Sequence, residues 1–133
     1  MIKNFNSLGL LAIGVLNLGV GLFVFSRPMS FYEATPGLSS MGPFSMHFIR
    51  DVGLAYFAGG TLQIAAAVRS SRELGIAGSS WFVLHALFHL QIWILRGAPL
   101  DSLFFFELAA IQLPAFAALI FASNPSVRAI RSE

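Results

Sequence analysis

The chain has 133 residues, of which 56% are hydrophobic and only 11% charged, and its formal net charge is +2. A soluble domain carries roughly 25% charged residues, so this composition cannot cover a water-facing surface and reads as a membrane protein. The lack of any Lys/Arg cluster excludes a nucleic-acid surface, and the lack of cysteine excludes disulfides, thiolate metal sites and dithiol redox chemistry.

A helix crosses the hydrocarbon core with about 20 mostly apolar residues. Four stretches of the single domain 1–133 meet this, at about residues 8–25, 44–68, 74–95 and 103–122. They show no period-2 alternation and are too long for barrel strands. Backbone groups in lipid must then be satisfied within helices. The expected fold is all-α, a four-helix transmembrane bundle with a longer first extracytoplasmic loop. The first stretch is expected to stay on the chain, because no A-x-A site follows Val24-Phe25-Ser26.

In the first span, Gly14, Asn17 and Gly21 share one face at spacings that allow close helix approach. Gly53, Gly59 and Gly60 on the second span read the same way, as packing positions. The connection between these spans holds Pro28, Pro36, Gly37, Gly42 and Pro43. Its length and punctuation predict an ordered loop or short interfacial segment, with Phe31 and Tyr32 at the headgroups. The other two connections are short turns. Pro114 is placed to kink the fourth span.

Lys3, Arg69, Arg72, Arg128 and Arg131 fall on one side of such a bundle, and Arg27 and Arg96 on the other. The positive-inside rule then predicts cytoplasmic termini. At 1.5 Å per residue, His47, Arg50 and Asp51 enter the outer half of the second span. His89 and His85 lie roughly 9 and 15 Å below the outer end of the third, and Glu107 about one turn into the fourth. His47, Arg50, Asp51 and Leu54 share a stripe, as do Glu107, Ile111, Pro114 and Ala118. Both stripes are expected to face the bundle axis.

A charge at membrane depth costs at least ~2.5–3.5 kcal/mol, so it must be paired or hydrated. One reading is structural: Arg50 pairs with Asp51 or Glu107 and the cluster locks the helices. A second is a metal site on His47, Asp51, His85, His89 and Glu107, since His-x3-His presents two imidazoles on one helix face. A third is a quinone or other small hydrophobic ligand, its polar head held by His47, Arg50, His85 and His89. Trp81, Phe82, Phe88, Trp93 and Phe105 would then surround its body. A b-type haem between His47 and His85 or His89 carries less weight, because His47 is shallow. No residue is singled out as catalytic.

The stretch Phe31-Tyr32-Glu33, Pro36-Gly37 and Gly42-Pro43-Phe44-Ser45-Met46-His47-Phe48-Ile49-Arg50-Asp51-Val52-Gly53 resembles a pattern in small bacterial four-helix membrane proteins. In hydropathy the whole chain is similar to the DoxX-like group. That resemblance implies an inner-membrane partner of a redox system, with a quinone as one possible link, and it carries over no catalytic residue. The functional expectation is therefore a membrane protein binding a metal or small redox-active ligand within an oxidoreductase assembly. The alternative is a non-catalytic accessory subunit. Its partners would be the lipid bilayer and either further copies of itself or a larger membrane complex.

Overall fold

A computed structural model describes residues 5–124. Lys3, Arg128 and Arg131, three of the basic residues behind the orientation expectation, lie outside them. Helix α1 (Phe5–Ser26) leads into α2 (Pro28–Ala34) and α3 (Leu38–Met41), followed by α4 (Met46–Arg69) and α5 (Arg72–Leu95). The fourth span, Ser102–Ser123, is built from α6 (Ser102–Glu107), a π-helical turn (Leu108–Gln112) and α7 (Leu113–Ser123). Four helices are thus long and apolar enough to cross a membrane. The chain is an all-α, four-helix transmembrane bundle.

Local chemistry sets the helix starts. Ser45 Oγ accepts from the Phe48 amide at 3.4 Å, and Ser71 Oγ from the Leu74 amide at 3.3 Å. Asp101 Oδ1 accepts from the Phe104 amide at 2.8 Å. Each meets an N–H that the first helical turn leaves open. Pro28 begins α2, where its fixed φ suits the helix and its missing donor costs nothing. The first loop is therefore ordered, as its punctuation predicts. Tyr32 within it donates to the Gly42 carbonyl at 2.7 Å and packs edge-on against Phe44.

The closest helix approach is between α1 and α4, and glycine makes it possible. A Cβ on Gly21 would lie 2.6 Å from the Phe57 amide nitrogen, and one on Gly60 2.6 Å from that of Leu18. Both obstacles are backbone. Gly14 and Gly53 lie in the same seam, Gly14 against Gln63 and Ile64 and Gly53 against the Phe25 amide. The expected packing faces are therefore the observed ones. Next to the seam, Leu10, Ala66, Ala67, Ala118 and Ala122 form one buried cluster, and Phe82, Ala86 and Ala115 a second.

A polar chain crosses this core. Asn17 Nδ2 donates to Gln63 Oε1 at 2.9 Å, and Gln63 Nε2 donates to Ser79 Oγ at 3.3 Å. It ties α1, α4 and α5 together deep in the bundle, where each polar group would otherwise be left in hydrocarbon.

The fourth span differs from expectation in its phase. The stripe expected to face inward was Glu107, Ile111, Pro114 and Ala118. The buried residues are Glu107, Gln112, Ala115, Ala118 and Ala122. The π turn inserts one extra residue per turn, which rotates the following helix so that Gln112 and Ala115 face inward. Pro114 supplies the reason: it has no amide to donate, and its ring crowds the carbonyl four residues back. A widened turn just before it relieves both problems without a sharp break.

Candidate functional site

Helices α2 and α3 mark one end of the bundle, and the site lies beneath them. Three of its expected members are elsewhere. His47, Arg50 and Asp51 do not face the bundle axis; with Leu54 they form the exposed side of α4. The buried side of α4 is instead Ile49, Gly53, Gly59, Gly60 and Gln63. The reason is steric: only the small-residue face can meet α1 closely, so the charged stripe turns outward. At the end of a span it can be hydrated there.

His47 Nε2 lies 3.3 Å from Asp51 Oδ2, a pair one turn apart whose side chains are 92% and 56% exposed. Arg50 pairs with neither Asp51 nor Glu107. Its Nε donates to the Phe25 carbonyl at 3.3 Å and its guanidinium sits 5.4 Å from the Phe25 ring centre. Arg50 thus caps the end of α1, where a cation meets the helix dipole favourably.

What the structure does bring together is His85, His89 and Glu107. His89 Nδ1 lies 3.0 Å from Glu107 Oε1, and the two side chains are only 12% and 3% exposed. With Glu107 ionised, Nδ1–H donates to the carboxylate, and the imidazole Nε2 stays available for a second partner. The His85 ring meets the His89 ring edge-on at 4.6 Å and stacks on Trp81 at 4.8 Å. Trp81 in turn meets Tyr56 of α4 at 5.3 Å. A buried acid, two imidazoles and two further aromatic rings therefore run as one contiguous series from α6 through α5 to α4.

A cavity of about 40 Å³ opens beside the pair. His89, Phe106, Glu107 and Ile111 form its inner wall. Thr35, Pro36, Leu38 and Met41 form the other, so the segment 35–41 lies over the site as a strap. Gly37, with φ at 79°, gives the strap its turn, and a Cβ there would sit 3.0 Å from the Leu103 side chain. The cavity is apolar apart from the His89–Glu107 pair and Thr35. At about 40 Å³ it is large enough to admit water with the strap seated.

The five-donor metal shell is not assembled. Among the described residues no group of three or more His, Cys, Asp or Glu is placed to hold a metal ion. His47 lies on the outward side of α4, away from His85 and His89, so the pairing considered for a haem is not formed either. Of the five aromatics expected around a ligand, Phe82 is buried in the core, while Phe88 and Phe105 are exposed. Trp93 stacks on Phe104 and donates to the Pro99 carbonyl at 2.9 Å, bracing the turn before α6.

In that turn Asp101 caps α6 and pairs with Arg96. The Phe104 amide, and then the Arg96 guanidinium, hold its carboxyl below the ordinary value of 3.8. A lowered carboxyl pKa contributes stability above the ordinary value, lost as pH falls through the lowered one. Asp101→Asn should therefore reduce the melting temperature at pH 7, and the gap from the parent should close under strong acid. Paired thermal melts at both pH values check this; a gap independent of pH would contradict it.

Gln112, Gln63 and Ser79 are not among the site residues that the sequence points to. The available signal for Gln63 and Ser79 was a polar side chain within an apolar run. No family model, curated protein or solved structure matches this chain.

Proposed function

We propose that the chain binds the polar head of a small, lipid-soluble, redox-active ligand of the quinone type, as part of a membrane oxidoreductase assembly. The observation that carries this reading is the buried His89–Glu107 pair in the wall of an otherwise apolar cavity. A quinone oxygen needs a hydrogen-bond partner and, on reduction, a proton. With Nδ1–H given to Glu107, His89 Nε2 accepts from a quinol hydroxyl; it donates to a quinone oxygen when the ring carries a second proton, which Glu107 is suited to exchange. The electrons come from a partner protein of the assembly. The DoxX-like resemblance of the first loop and the start of α4 agrees with such a role.

The same resemblance, with the distribution of basic residues, favours a bacterial inner membrane and cytoplasmic termini. A reporter active only in the periplasm, fused after Glu133, is expected to be silent; activity there would reverse the orientation.

Protein purified in mild detergent, extracted with solvent and assayed by mass spectrometry should yield close to one quinone per chain. His89→Ala should lose it while remaining folded. Elemental analysis of the same samples separates the metal reading, since stoichiometric metal without quinone would replace the ligand proposed. A second reading, an accessory subunit without chemistry, is favoured by the pair's mutual satisfaction and by the Asn17–Gln63–Ser79 chain, which already joins helices. No ligand in the parent, with His89→Ala merely less stable, would support it.

A further inference from the structure

The side of α4 that faces away from the bundle carries charge inside the span. α4 has 24 residues, a length of about 36 Å against a hydrocarbon core of about 30 Å. With the helix centred, about 3 Å of each end reaches the headgroups. Asp51, about 7–8 Å from the start of the helix, then lies roughly 4–5 Å within the hydrocarbon. Its side chain is 56% exposed, and its ionic partner among the described residues is the still more exposed His47, 3.3 Å away. It is too short to reach back to the headgroups as Lys or Arg does. Arg50, at nearly the same depth, is exposed too. Its Nε is taken by the Phe25 carbonyl, while its two terminal nitrogens meet no acceptor among the described residues. The two unlike charges do not pair with each other, since adjacent helical residues point about 100° apart.

Between these charges runs a seam of exposed Leu54, Ala58 and Thr61. Around the helix axis Arg50 lies roughly 50° to one side of the seam and Asp51 roughly 50° to the other. Ala58 and Thr61 are small, as helices that meet closely in lipid require. Thr61 Oγ already donates to the Phe57 carbonyl at 2.8 Å, so its hydroxyl proton needs no water.

We infer that two copies of the chain meet along this side of α4, related by a twofold axis along the membrane normal. Copies inserted the same way round place equal residues at equal depth. A twofold contact along the seam sets the Arg50 flank of each copy against the Asp51 flank of the other. It therefore closes with two Arg50–Asp51 pairs and no charge left over. A lipid phosphate would satisfy Arg50 alone and leave Asp51 as it is, whereas a second copy satisfies both. The inference does not depend on the ligand reading, because His89 and Glu107 lie on other helices.

The chain has no cysteine, so a single introduced one reports contact without ambiguity. Leu54→Cys, in membranes treated with a mild oxidant, should give mostly crosslinked dimer. Leu87→Cys is the control: it lies on α5, 48% exposed, and about 12 Å from the same end of the bundle as Leu54. It should stay monomeric. Adding Asp51→Arg to Leu54→Cys sets like charges against each other and should reduce the dimer about tenfold, with the thermal melt unchanged. Co-expressed with a differently tagged Leu54→Cys chain carrying Arg50→Asp, the same protein should crosslink again as a mixed dimer. That rescue separates pairing from misfolding, and its failure would count against the pairing. Crosslinking at Leu87→Cys but not at Leu54→Cys would put the interface elsewhere, and none at either would leave this side of α4 to lipid; each overturns the inference. A Leu54→Cys dimer unaffected by Asp51→Arg would remove the charge pairing that defines it.

Discussion

Gly60→Ala should destabilise the bundle by about 2–3 kcal/mol, the upper part of the range for overpacking a tight interior. The added methyl carbon would lie 2.6 Å from the Leu18 amide nitrogen and 2.8 Å from the Gly14 carbonyl oxygen. Neither is the end of a flexible side chain, so relief requires α1 and α4 to separate. Separation would also lengthen the hydrogen bond between Asn17 and Gln63, now 2.9 Å. Gly21→Ala meets the Phe57 amide nitrogen at 2.6 Å and should behave similarly. The double variant should cost less than the sum, because one outward shift of α1 relieves both contacts. Gly19→Ala is the control: nothing lies within 4 Å of its added carbon. There the gain in helix propensity, up to about 1 kcal/mol, should leave the protein neutral or slightly more stable. Thermal or SDS-induced unfolding of the four variants measures these differences. A Gly60→Ala protein as stable as Gly19→Ala would show that the seam is not tightly closed in the membrane protein.

The same seam explains what could be read from sequence and what could not. Gly14, Asn17 and Gly21 recur at helical spacing in an uncharged span, so they have one reading, as a face for close approach. On α4 two stripes compete. His47, Arg50, Asp51 and Leu54 recur with helical spacing, and so do Gly53 and Gly60 a short rotation away. The charged stripe looked like the inward one because charge in lipid is costly. Near a span's end, however, water and headgroups are within reach, while a glycine seam has no substitute for its partner helix. Packing therefore fixes the rotation of α4, and the charges follow.

The phase of the fourth span was hidden for a different reason. An unbroken α-helix puts Ile111 and Pro114 on the face of Glu107, and only a π turn puts Gln112 there instead. Pro114 signalled that the hydrogen bonding must change nearby but not in which form. The pairing of His89 with Glu107 was more accessible. Both lie about 7–9 Å from the same end of adjacent spans by helical rise, and each sits on a face that has no other charge.

That pair allows a sharper experiment than single substitutions. His89→Ala would leave the Glu107 carboxyl without its imidazole in a site only 3% open to solvent. Removing one partner of a buried pair typically costs about 3–5 kcal/mol. Glu107→Gln should be much milder, because its amide oxygen still accepts from His89 Nδ1–H. Replacing both, as His89→Leu with Glu107→Met, should recover most of the stability lost in His89→Ala, since apolar groups of similar volume often match or exceed a buried ion pair. The unfolding free energies of this set, measured in one detergent, give the pair's coupling directly. If the pair only fastens α5 to α6, the double variant should retain every property of the parent. If it serves a ligand, the double variant should be stable and unable to bind. A stable double variant that still co-purifies with quinone like the parent would move the ligand contact away from His89 and Glu107 altogether. Loss of binding without loss of fold assigns it to them, because the two substitutions have then removed the chemistry and left the packing in place.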